Sequence, residues 1–516
     1  MSVTATVLKV AGGEQLGVRI EQRGSRNNLS ALGSALVRAI LKELDHWKAI
    51  GAFHATWLEE TNPSALQAFL VAEQFYRRSA WDSAMAYYGR AIDSDSTFAL
   101  AHHHAGLVVA WRRSTGDSLS HAYLLAAARF NRRLPRRDSL LITADSLRAS
   151  LSDADPAYTT AVSRLFATLR MARDSFPTDP EIWFALGDAY FHFGSGPRLS
   201  VDEDTTLAAF DRSIQLDSGF TPAYIHALEM RLARDGRDAG LRYATAYLAL
   251  EPRDEEADGI RALTTVLEER PNSSRAASIL DTLSADALQT AWLIARRWTD
   301  SSQTAVRLLE LSMAERRGRA GMLSNPGLRR VLQVAGLAYR GRMRDAYVTL
   351  GTNIGALESD TFGVLAALGG VPHDTAVAVF ARGLHDPSLW IGSALPWWAA
   401  QGDTASLLAA VARTDRELQA ATTAASRRDW LYRTFAARAY LALGRRSGDA
   451  LARFEQLPDT LCMRCYLDRY TKAKLLDSLG RRDEAEVTLR ERPYTVLSAL
   501  EVRAAMDRAL IAEKQQ

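Results

Sequence analysis

Residues 183–190 read Trp183-Phe184-Ala185-Leu186-Gly187-Asp188-Ala189-Tyr190. Trp183, Leu186 and Tyr190 recur at three- and four-residue steps, so they share one face of a helix, and Gly187 stands beside them. Glycine costs a helix about 1 kcal/mol relative to alanine. A helix that keeps one on its apolar face is therefore read as a helix that another backbone approaches closely.

This octapeptide has the W-x2-L-G-x2-Y form that opens a tetratricopeptide (TPR) repeat, a pair of helices recurring about every 34 residues. In that unit, small residues at positions 8 and 20 let helices A and B cross closely, and large residues at 4, 11 and 24 fill the space beside the crossing. Residues 65–98 place Val71, Ala72 and Phe75 on helix A, with Ala84, Tyr88 and Ala91 on helix B. The next helix A carries Ala105 and Gly106, but its continuation from Arg129 to Arg137 departs from the pattern. The unit opening at Pro180 continues, after an insertion of about seven residues relative to the repeat length, with Phe210, Ser213 and Ser218. Tyr224, Gly240, Ala244, Tyr247 and a closing Pro252 make the following unit.

The period fades over 256–325 and returns at Leu337, Gly341 and Ala346, at Gly444, Ala450 and Phe454, and at Leu476, Gly480, Ala485 and Leu489. The expected fold is all-α, a TPR-like superhelix with a short N-terminal β-hairpin. Its expected parts are 1–60, a first TPR-like block at 61–255, a degenerate helical bridge at 256–325 and a second TPR-like block at 326–516. Within 1–60, Val3, Ala5 and Val7 alternate with Thr4, Thr6 and Leu8, and Gly12-Gly13 separates them from Gly17-Val18-Arg19-Ile20. A helix should follow from Ser30, with Leu32, Leu36, Ile40 and Leu41 on one face. A lone hairpin is marginal in water, so this one packs on that helix or belongs to a larger sheet.

Bulk properties narrow the function classes. A chain of 516 residues exceeds a single core. Its hydrophobic content of 47% and charged content of 24% are ordinary for a folded soluble protein. The 63 basic residues nearly balance 60 acidic ones, which gives no footprint for nucleic acid. No apolar run reaches the ~18 residues of a membrane span, and Met1–Gly12 lacks the apolar core of a secretory signal. Two cysteines fit a reducing compartment, so the expected localisation is cytoplasmic.

Thr61-Asn62-Pro63-Ser64-Ala65-Leu66, Phe75-Tyr76-Arg77-Arg78, Trp81-Asp82-Ser83-Ala84 and Asp95-Ser96-Thr97-Phe98-Ala99 resemble the TPR region of bacterial multidomain signalling proteins. In those proteins a serine/threonine kinase, an adenylate cyclase or a DNA-binding module precedes the repeats, often with a TolB-like α/β domain between. The segment at 3–20 and the helix at 30–45 resemble the end of that intermediate domain. The resemblance implies a sensor or scaffold region, which would face the periplasm if it were the outer half of a membrane-anchored kinase. The glycine-rich loop, HRD-type loop and Asp-Phe-Gly of a kinase do not occur here.

Other motifs point away from catalysis. Cys462-Met463-Arg464-Cys465 has metal or redox spacing but no second ligand pair, leaving helix packing, a local disulfide in an oxidising compartment, or metal binding as its readings. His102-His103-His104 cannot all face one ion from a helix, so structural or solvent roles are expected. Asp93-Ser94-Asp95-Ser96 begins like a calcium loop, but Phe98 stands where glycine is needed and His104 where glutamate is needed, so it reads as an inter-repeat turn. Asp202-Glu203-Asp204 and the arginines Arg129, Arg132, Arg133, Arg136 and Arg137 read as solvated loops. No P-loop, G-x-S-x-G or G-x-G-x-x-G is present, so no enzyme activity, cofactor or metal is expected.

In a TPR stack, helix A lines the concave groove. Its groove positions here are Phe69, Glu73 and Tyr76, then Phe184, Asp188 and Phe191, then Ile225, Glu229 and Leu232. The apolar–acidic–apolar order predicts a groove for a protein or peptide partner with basic and apolar side chains. It argues against a carboxylate clamp, which needs Lys, Arg and Asn at such places.

Overall fold

The computed structural model describes residues 1–8, 15–25, 62–112, 117–131, 134–151, 158–194, 201–253, 255–268, 274–296, 326–386, 391–457 and 466–490, with single positions between 32 and 40 and between 298 and 311. Cys462 and Cys465, Arg132 and Arg133, and most of the helix expected at 30–45 lie outside the described residues. Strands β1 (Ser2–Leu8) and β2 (Gln15–Arg23) form the expected antiparallel hairpin, with a register shift between Ala5 and Val7. The other described elements are helices.

Five helix pairs make the first block. They are α1 (Pro63–Tyr76) with α2 (Trp81–Ser94), α3 (Ala99–Arg112) with α4 (Ser118–Arg129), and α5 (Arg136–Ala149) with α6 (Tyr158–Ser175). Next come α7 (Pro180–Phe193) with α8 (Glu203–Leu216), and α9 (Pro222–Asp235) with α10 (Arg237–Leu248). Several helices open in the same way. Asn62 and Asp179 accept hydrogen bonds from backbone N–H groups of the first turn, and proline follows where no N–H is needed. Asp202 caps α8 likewise through Thr205 N, so Glu203 and Asp204 belong to its first turn rather than to a solvated loop. Asp95 closes the turn before α3 by accepting from Thr97 N at 3.0 Å.

The expected close crossings are present. A methyl group on Gly187 would lie 3.0 Å from the Phe210 ring, and one on Gly106 would lie 2.8 Å from the Leu124 side chain. Beyond the first block, α11 (Glu255–Glu268), α12 (Ser274–Thr282) and α13 (Ala285–Ala295) share a core with α9 and α10 that includes Tyr224, Leu232, Tyr247, Leu263 and Trp292.

The later described helices begin with α14 (Pro326–Tyr339) and α15 (Met343–Leu350), followed by α16 (Ala356–Ala367) and α17 (His373–His385). They continue through α18 (Leu395–Gln401), α19 (Thr404–Ala420), α20 (Ala424–Gly444) and α21 (Ala450–Glu455) to α22 (Tyr466–Ser478) and α23 (Arg482–Arg490). Gly341 (φ +73°) and Gly480 (φ +77°) end α14 and α22 in the left-handed region, where the Arg342 and Arg481 N–H groups return to Leu337 and Leu476 carbonyls.

In the first block that turn position carries Ser79 at φ +53°, and the serine is buried. Its hydroxyl lies 2.7 Å from Thr221 Oγ1, and Thr221 donates at 2.9 Å to the Arg77 carbonyl. Arg77 also pairs with Asp217. The turn after α1 therefore meets the turn before α9, and the first block closes on itself instead of opening as a shallow groove. Among the described residues, no helix is long and apolar enough to cross a membrane.

Gly187→Leu should lower stability in urea unfolding by about 1–3 kcal/mol through overpacking. Gly89→Ala, at a helical glycine with nothing within 4 Å of an added methyl, should raise it by up to about 1 kcal/mol. Equal effects at the two positions would contradict the close crossing.

Candidate functional site

The closure of the first block turns the inner rows of its A helices toward one another. They bound a small chamber, partly open to solvent, whose lining includes Tyr76, His103, Asp145, Arg148, Phe184 and Asp188. The polar groups around it form a chain of pairs. Glu73 accepts from the Tyr88 hydroxyl and lies 2.8 Å from His104 Nδ1. His103 Nε2 lies 2.6 Å from Asp145 Oδ2. Arg148 reaches Asp145 Oδ1 at 3.1 Å and Asp188 Oδ2 at 3.3 Å, tying α5 to α7.

One layer below, Arg137 is 6% exposed. Its Nε and Nη2 donate to the two oxygens of Asp179 at 2.9 and 3.2 Å, Nη1 donates to Asp138 at 2.7 Å, and Glu181 completes the set. The expected solvated arginine cluster is thus corrected at Arg137, while Arg129 and Arg136 are exposed. The reason is geometric. Arg137 starts α5 opposite the start of α7, where Asp179 already caps the helix and can take a fork of two parallel N–H donors.

Electrostatics follow from these pairs. Burial works against a charged His104, but Glu73 outweighs it and raises the imidazole above its usual value. Burial pushes the Asp188 carboxyl up, yet His192, His226 and Arg148 together hold it well below the usual carboxylate range. Burial likewise opposes ionised Asp145, and Arg148 with His103 lowers it. Glu181 is lowered to about 2: burial opposes the charge and the Arg137 guanidinium overcomes it. A buried carboxylate without such a partner would take up a proton instead.

The residues read from sequence as a groove divide into four sets. Tyr76, Phe184 and Asp188 line the chamber. Phe69 and Glu73 stand behind it, both against His104. Ile225 and Leu232 lie in the core shared with α10–α13, and buried Glu229 pairs with Arg296 at 2.8 Å, away from the chamber. Phe191 is half-buried and stacks on His226 at 4.1 Å. All three carboxylates of the expected acidic row therefore have internal partners. The triplet His102–His104 is buried, with His102 Nε2 2.9 Å from the Ser96 carbonyl, so a solvated role does not fit it.

Sequence reading missed Asp145, Arg148, His192 and His226. The first two sit on α5, whose inner row carries charges at Arg137, Asp138 and Arg148 and so escapes an apolar template. Spacing offered one signal: Asp188 and His192 are four residues apart and share a helix face.

No family model matches the chain, and no curated relative does. Among solved structures it is similar to the crystal structure of YrrB, described as a TPR protein with an unusual peptide-binding site, at 18% identity, with 38% of this chain and 90% of that chain covered and a TM-score of 0.19. That similarity transfers no residue or ligand, and the TPR-like assignment rests on the helix pairs themselves.

Arg137→Ala should destabilise the chain by about 3–5 kcal/mol, because it strands buried carboxylates. Those carboxylates would then take up protons more readily, so the deficit should shrink as pH falls from 7 toward 4 in denaturant titrations. A deficit below 1 kcal/mol would contradict the buried pairing. His104, raised above its unfolded value, contributes stability that is full below that value and is lost as pH rises through the folded one. Glu73→Gln should flatten this component between pH 6 and 9 in thermal melts; an unchanged slope would remove the His104–Glu73 pair from the account.

Proposed function

We propose that the chain is a protein-interaction scaffold whose first block takes an anchoring side chain of a protein or peptide partner in the inner chamber. The observation that carries this is the chamber itself, where the inner rows of α1, α3, α5 and α7 meet around unfilled space. Tyr76, Leu107, Leu165, Leu169, Phe184 and Phe220 supply apolar wall, and Asp145, Glu181 and Asp188 supply carboxylates beside Arg148. Such a lining suits an extended segment that presents an apolar side chain next to a basic one. Phe69, Glu73 and Phe191 then act by supporting the chamber wall, while Ile225, Glu229 and Leu232 belong to the neighbouring core. The role is one of binding, with no catalytic step assigned to these groups.

A second reading assigns the chain to the sensor region of a kinase- or cyclase-type signalling protein. The hairpin favours it: β1 and β2 pair only with each other among the described residues, leaving two strand edges of the kind a neighbouring α/β sheet would cover.

A displayed random peptide library panned on the intact chain should enrich sequences that pair an apolar with a basic residue. Ala185→Phe, which fills the chamber from α7, should weaken the enriched peptides at least about tenfold while leaving the thermal melt in place. Peptides that bind this variant unaltered would contradict the chamber as the docking site.

A further inference from the structure

A second constellation lies at the edge of the chamber. Asp188 and His192 are one turn apart on α7, and His226 comes from the neighbouring A helix, α9. Asp188 Oδ1 lies 3.4 Å from His192 Nε2 and 3.5 Å from His226 Nε2. One donor atom from each of the three residues falls within 4.8 Å of the others. These separations are long for strong N–H···O hydrogen bonds, which cluster near 2.9 Å. The two Asp188 distances are close to the edge of a tetrahedron whose corners are about 2.0–2.1 Å from a central zinc ion, an edge of about 3.3–3.4 Å.

We propose that Asp188, His192 and His226 form a binding site for a divalent transition metal of the zinc class, joining α7 to α9. Two imidazoles and one carboxylate are the donor types such an ion takes, and a calcium or magnesium site would need more oxygen. His226 is held for the task. Its ring stacks on Phe191 at 4.1 Å, with Trp111 at 5.6 Å and Phe210 at 5.9 Å, so its Nε2 is aimed at Asp188 by packing. Its Nδ1 is buried without a hydrogen-bond partner, so the ring is positioned by this packing and by its approach to Asp188 Oδ1.

Arg148 occupies Asp188 Oδ2, which leaves Oδ1 as the single oxygen for an ion and fixes the carboxylate plane. The side chains of Asp188 and His226 are 13% and 12% exposed, while His192 is 29% exposed. Solvent therefore reaches the site from the His192 side, which gives the ion a way in and supplies water for the fourth position. An open position of that kind can also accept a donor from a bound partner. The site shares Asp188 with the chamber but depends on none of the partner chemistry proposed above.

The test is Co²⁺ titration of the intact chain, followed by displacement with Zn²⁺, all in a Cys462→Ser/Cys465→Ser background so that thiolates cannot contribute. One equivalent of Co²⁺ should bind with the intense visible absorption of a four-coordinate site, and Zn²⁺ should abolish that absorption and raise the melting temperature. His192→Ala, at the most exposed ligand, should weaken Co²⁺ binding at least about tenfold while keeping the metal-free melt; His226→Gln should do the same if its far-ultraviolet circular dichroism is unchanged. Absence of saturable Co²⁺ binding overturns the proposal. So does binding that survives both histidine substitutions, or binding that is present only when the two cysteines are intact.

Discussion

Arg137 sets the terms for the first block. A guanidinium taken out of water is tolerated only when its donors are met, and here Asp138, Asp179 and Glu181 meet them from two successive helix pairs. Asp179 is at the same time the cap of α7, so the start of that helix and the position of α5 are fixed by one carboxylate. Once α5 and α7 are held in this register, Arg148 comes within reach of both Asp145 and Asp188, and the polar side of each inner row turns toward a common centre. The apolar rows have no such directional demand. They pack wherever close crossings such as Gly187 against Phe210 allow.

This explains why a repeat array has an interior. In an open solenoid, each repeat touches only its neighbours. Here the turn carrying Ser79 docks on the turn carrying Thr221, and Tyr76 and Phe220 come together across the same boundary. The positive φ of Ser79 costs free energy that the buried hydroxyl contact and the Arg77–Asp217 pair offset. Helix positions that would face open solvent in a shallow groove become the wall of a chamber. The chemistry collects there: four of the chain's ten histidines and the carboxylates Glu73, Asp145, Glu181 and Asp188 lie in or beside it.

The architecture was legible because it depends on local rules. Spacing at Trp183–Tyr190, small residues at crossings and Asx-Pro helix starts are each readable within a few residues, and so was the alternation in the hairpin. The third helix pair was not read, because Arg137, Asp138 and Arg148 occupy buried positions that the repeat template fills with apolar side chains. The burial of Arg137 and Arg148 depends on Asp179 and Asp188, 42 and 40 residues away, which no local pattern records. The expected groove residues do lie on helices α1, α7 and α9. Their surroundings were not, since whether Phe69 or Tyr76 meets solvent is decided by the closure of the block. His192 and His226 escaped notice because their shared site exists only once α7 and α9 lie side by side.

Closure of the first block is the premise on which the chamber and the proposed docking of a partner depend. It can be measured directly with spin labels at Arg78→Cys and Ser218→Cys, both exposed and on the two turns that meet, in a background lacking Cys462 and Cys465. Pulsed dipolar spectroscopy should return one narrow distribution at short distance, which broadens and lengthens when Thr221→Val removes the contact to Ser79. A broad, long distribution in the otherwise native chain would mean that the turns do not meet, and the block would be an open groove with no chamber.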